Sequence, residues 1–131
     1  MNHKKKVVII TVTLVLIAVI AAGWFLFSPV HVSGIGTVVF HYNGAEIEEE
    51  MTESESAVIV DIVNGHAPYF DSPSCGFDNK IGIRFSGQMI SIACDNCPTL
   101  SVHGMYFKIS EDEAATFRSI MRAHGATFPC V

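Results

Sequence analysis

Apolar positions fall into two regimes along the chain. From Val7 to Phe27 there are 21 residues without a charged side chain; beyond them, apolar and polar residues alternate in short runs broken by Gly, Asn and Pro. The first regime predicts one helix of roughly 31 Å, at about 1.5 Å per residue, which matches the hydrocarbon core of a bilayer. The second regime spans about 100 residues, enough for a single small core.

Within the second regime the pattern predicts hairpin–helix, hairpin, hairpin–helix. Thr37–Tyr42 is β-branched and aromatic, and Asn43-Gly44 is a two-residue hairpin turn leading into Ala45–Met51. Thr52-Glu53-Ser54-Glu55 is a capping box, so the β-branched run Ala57–Val63 behind it reads as a buried helix ended near Gly65. A loop with Pro68, Pro73 and Gly76 follows. Lys80–Phe85 and Met89–Ala93 read as strands around Ser86-Gly87-Gln88, and Leu100–Val102 and Met105–Ile109 as strands around His103-Gly104.

Ser110-Glu111-Asp112-Glu113 repeats the capping box and opens a last helix. Its inner face carries Ala114, Phe117, Ile120, Met121 and His124, with Arg118, Ser119 and Arg122 outward and Gly125 as the stop. The two capped segments resemble each other and each follows a hairpin, a pattern compatible with internal duplication. The fold class expected is α+β: a single transmembrane helix, then an antiparallel sheet of about five to six strands with two helices on one face, stabilised by disulfides.

Charge separates the same two regions. Lys4, Lys5 and Lys6 precede the apolar run with no acid among them, whereas five basic residues face 13 acids beyond it, a formal charge of −8. The lysines predict a cytoplasmic N-terminus at 1–6 and a signal-anchor at 7–27, with Trp24 at the outer interface. A juxtamembrane linker at 28–36 and an exported domain at 37–131 complete the expected organisation. The alternative is a secreted protein released by cleavage near Gly23, although this would leave Trp24-Phe25-Leu26-Phe27 as an apolar start. So acidic a domain lacks the Lys/Arg footprint needed to neutralise phosphates, which excludes nucleic acid as a partner. The partners expected are the membrane, through Val7–Phe27, and a protein or peptide outside the cytoplasm.

Cysteines carry the strongest chemical signal. Cys75, Cys94, Cys97 and Cys130 all follow the apolar helix, and an even number outside the cytoplasm reads first as two structural disulfides. Three pairings are open; a bridge at Cys130 would pin the C-terminal tail. Two rival chemistries share these residues. Cys94-Asp95-Asn96-Cys97 is a CxxC, but Pro98 and a strand follow it rather than the helix that lowers a thiol pKa in exchange proteins. The four cysteines could instead form a tetrahedral zinc site, though they supply one CxxC knuckle and not two.

Nothing else in the sequence adds up to a catalytic constellation or a cofactor motif. Histidines 31, 41, 66, 103 and 124 show no HxH, HxxxH or HExxH spacing, and there is no G-x-S-x-G or phosphate-binding glycine loop. Glu46, Glu48, Glu49 and Glu50 read as a charged edge strand that discourages unwanted pairing, or as an acidic face for a basic partner. The expected function is therefore binding or modulation of an envelope or extracellular partner by an anchored domain, with no enzymatic role and no cofactor. Thiol–disulfide exchange and zinc binding are the alternatives.

Overall fold

A computed structural model of the chain describes residues 1–27, 31–64, 66, 68 and 75–128. Its first element, α1, spans His3–Phe27. Its apolar side chains from Val7 to Ile20 are exposed, and among the described residues it is the one helix long and apolar enough to cross a membrane. Thr11 and Thr13 donate their hydroxyls to the carbonyls of Val7 and Ile9, at 2.9 and 2.8 Å, so neither needs a partner outside the helix.

The following elements are β1 (Thr37–Tyr42), β2 (Ala45–Glu50), α2 (Glu53–Val63), β3 (Gly82–Phe85), β4 (Gln88–Ile92), β5 (Thr99–Val102), β6 (Met105–Lys108) and α3 (Glu111–Ala123). The strands form one antiparallel sheet in the order β2-β1-β3-β4-β5-β6. Its three hairpins turn at Asn43-Gly44, Ser86-Gly87 and His103-Gly104, with φ positive at both positions of each pair. That is the mirror-image turn whose twist suits paired strands. The middle turn is thus two residues long, and Gln88 belongs to β4 rather than to the turn.

Register places the large apolar residues on one face. Phe40 lies opposite Ile47, Val38 opposite Ile83, Ile83 opposite Ile90, Ile90 opposite Val102 and Leu100 opposite Phe107. Ile59, Ile62 and Val63 of α2 and Ala114, Phe117 and Met121 of α3 close the same core, so both helices cover that face. The segment before β1, read as a linker, also packs. Val32 is buried, and the Asn64 side-chain amide both accepts from its N–H (2.7 Å) and donates to its carbonyl (2.9 Å). Gly36 sits where an added Cβ would lie 2.5 Å from Met51 Cε and 2.7 Å from Phe85 Cζ.

Both capping boxes form, with Thr52 and Glu55 opening α2 and Ser110 and Glu113 opening α3. The same glutamates also tie the helices together. Glu55 meets His124 beyond the end of α3 at 2.9 Å, and Glu113 meets His66 beyond the end of α2 at 3.2 Å. The helices therefore run antiparallel, each start held by the other's end. In each half a hairpin precedes a helix, and the strand order reversed exchanges β1-β2 with β5-β6, giving a local twofold between β3 and β4.

Candidate functional site

The helices leave the second face of the sheet to be covered by other means, and its two halves differ. On the β2–β1–β3 side, alternation turns Glu46, Glu48 and Glu50 onto this face and Glu49 onto the other. The four carboxylates expected to make one acidic face are therefore divided between two. Arg84 of β3 lies among them, its guanidinium bonded to Glu48 and 3.9 Å from Glu46, and neutralises part of their charge. As expected, β2 is an edge strand.

On the β4–β5–β6 side the same face forms a cleft of about 570 Å³. Its lining includes Ser91 and Ser101, directly opposite one another on β4 and β5 and only 3% and 9% exposed. Phe77 and Tyr106 flank it, their ring centroids 5.4 Å apart and their planes tilted by 40°. Asn79 and the turn residue His103 are exposed at its rim. Among the described residues, no Asp, Glu, Lys or Arg lines it.

One wall of the cleft comes from the segment beginning at Cys75, which is tied down in two ways. Cys75 forms a disulfide with Cys97 across a sequence separation of 22, and the Cys94 N–H donates to the Gly76 carbonyl at 2.9 Å. The β4–β5 bend that receives these links is held by Arg118 of α3. One of its guanidinium nitrogens donates to the carbonyls of Ala93 (3.1 Å), Asp95 (2.7 Å) and Cys97 (2.7 Å). Burial lowers its pKa, Arg122 lowers it further and Asp95 opposes them; an arginine stays charged throughout. The outward position expected for Arg118 is thus corrected. Helical periodicity marks it polar, but a polar bend packs against that part of α3.

The CxxC cysteines are not bonded to each other. Cys97 is joined to Cys75, and Cys94 is 1% exposed and also disulfide-bonded. This geometry supplies no accessible vicinal thiol pair for exchange. Cys130 and its expected bridge lie outside the described residues. Cys75, Asp95 and Cys97 bring three donor atoms within 4.8 Å of one another, but two of them are the sulfurs of the disulfide and hold no thiolate for a metal.

Sequence reading missed the cleft itself. Ser91 and Ser101 alternate with Ile90, Ile92, Leu100 and Val102, which by itself says only that one face of each strand is polar. The alternation does not reveal that a loop forms a wall beside those hydroxyls. Comparison with protein families, with curated proteins and with solved structures finds no match, so the reading of this site rests on its own geometry.

Proposed function

We propose that this chain is a single-pass membrane protein, its N-terminus cytoplasmic, whose exported α+β domain is a binding module with the β4–β5–β6 cleft as its ligand site. The observation that carries the binding assignment is the pair of serines, Ser91 and Ser101, largely buried residues that line the cleft side by side on β4 and β5. Hydroxyls lining a cleft can exchange water for a polar ligand, whereas a face meant only to be sealed would use apolar residues. Three features support the location. Lys4–Lys6 precede the apolar helix, its threonines are satisfied internally, and the Cys75–Cys97 disulfide belongs in an oxidising compartment.

Two measurements on the full chain in its native membrane test these assignments. Alkaline phosphatase fused after Val131 is active only if the domain is exported; an inactive, stable fusion refutes the orientation. A photo-crosslinking residue at Asn79, on the cleft rim, should give a discrete adduct, while the same residue at exposed Ser119 of α3 should not. Equal labelling from both positions, or none from Asn79, refutes the cleft as binding site.

A further inference from the structure

Resting on that assignment of the cleft, we infer that its ligand is a neutral saccharide, one or two sugar rings of a glycan outside the cytoplasm. At about 570 Å³ the cleft lies within the range of roughly 300–1,000 Å³ typical of small-molecule sites. Its chemistry has three parts, and together they describe a sugar ring. The floor presents the hydroxyls of Ser91 and Ser101, each able to donate one hydrogen bond and accept others. Phe77 and Tyr106 present aromatic surface, which suits the C–H face of a pyranose, and Tyr106 adds a polar tip. At the rim, Asn79 offers a planar donor and acceptor side by side, matching two vicinal hydroxyls.

Charge narrows the class further. An anionic ligand would find no Lys or Arg in the lining and would approach a domain whose formal charge is −8. A cationic ligand would find no carboxylate among the described lining residues; Glu46 and Glu48 are engaged with Arg84 on the other half of the sheet. A site whose described polar side chains are hydroxyls, an amide and the rim imidazole of His103, with no carboxylate, Lys or Arg among them, favours an uncharged ligand rich in hydroxyls. It also discriminates sharply against analogues lacking the hydroxyls it bonds.

The test uses the full chain in nanodiscs, applied to an immobilised panel of neutral and anionic oligosaccharides that includes chitotriose, maltotriose and trigalacturonate. Binding of at least one neutral glycan is expected, with little or none to its anionic counterpart. Tyr106→Ala and Asn79→Ala should each weaken that binding at least tenfold. Asn79 is exposed, so its replacement leaves the core intact and keeps the test valid if Tyr106→Ala impairs folding. Retention of no neutral glycan, equal retention of anionic ones, or full affinity in Asn79→Ala overturns the inference. The crosslink from Asn79 separates the two levels. A protein adduct with no glycan binding keeps the binding module and removes the saccharide, whereas no adduct and no glycan binding removes both.

Discussion

At the scale of single residues, the domain depends on polar side chains that take over backbone hydrogen bonding where strands and helices end. Arg118 is the clearest case, serving three carbonyls of one bend. Arg118→Met keeps the aliphatic stem but strands those acceptors, at about 1–3 kcal/mol for each one left buried and unsatisfied. Urea denaturation should show the loss, and an unchanged midpoint would mean that water replaces the guanidinium. Ser56 plays a comparable part from α2. It is 1% exposed, and its Oγ accepts from the Gly36 N–H at 3.0 Å. Ser56→Ala should cost about 1–3 kcal/mol by the same reasoning. Gly36→Ala should cost a similar amount for a different reason, because Met51 and Phe85 occupy the space of the new methyl.

At the scale of elements, α2 is helical despite a run of Val and Ile. Its capping box satisfies two otherwise orphaned N–H groups, and Ile59, Ile62 and Val63 fall on the buried side at helical spacing. Tertiary burial here outweighs a β propensity worth a few tenths of a kcal/mol per residue. The His–Glu pairs joining α2 to α3 have a pH consequence. Hydrogen bonds from the Thr52 backbone and from His124 hold the Glu55 carboxyl below its ordinary value of 4.5. For Glu113 burial pushes upward, but the bonds from Ser110 and His66 outweigh it and the net shift is also downward from 4.5.

A carboxyl whose folded pKa is depressed contributes stability above its unfolded pKa. That contribution is lost as the pH falls through the folded pKa. Packing of α2 against α3 should therefore weaken on acidification below about pH 4.5. Comparing urea midpoints at pH 7 and pH 3 should show a smaller difference in the Glu55→Gln/Glu113→Gln double variant than in the parent chain. Equal differences would place the acid sensitivity elsewhere.

At the scale of the whole molecule, the disulfide and the cleft belong to one arrangement. Cys75–Cys97 closes a separation of 22 residues, for which loop-closure entropy suggests about 3 kcal/mol. Cys75→Ser/Cys97→Ser should lower the unfolding midpoint accordingly. It should also speed hydrogen exchange at Gly76–Asn79 more than in β1, since the bridge restrains a wall of the cleft and not the middle of the sheet. Uniform acceleration would argue for a purely global effect. Intact mass of the protein recovered from membranes, with and without reductant, would report both the oxidised cysteines and whether α1 is retained.

Much of the fold was legible because it rests on local physics. Period-two alternation, X-Gly turns and two capping boxes are written in adjacent residues, and they place six strands and two packed helices nearly to the residue. The length of the apolar run likewise follows from composition alone. What tertiary structure decided is which distant polar groups meet. Alternation marks Ser91 and Ser101 as off the core face but cannot show that the Cys75–Asn79 segment walls the cleft they line. Helical periodicity marks Arg118 as polar but cannot show that it reaches three carbonyls of another loop. Nor can four cysteines choose among three pairings, because pairing depends on Cα positions set by the whole chain, 6.2 Å apart for Cys75 and Cys97. The candidate site is assembled from such long-range encounters, so the sequence by itself determined the scaffold, and the folded chain decided where the cleft lies.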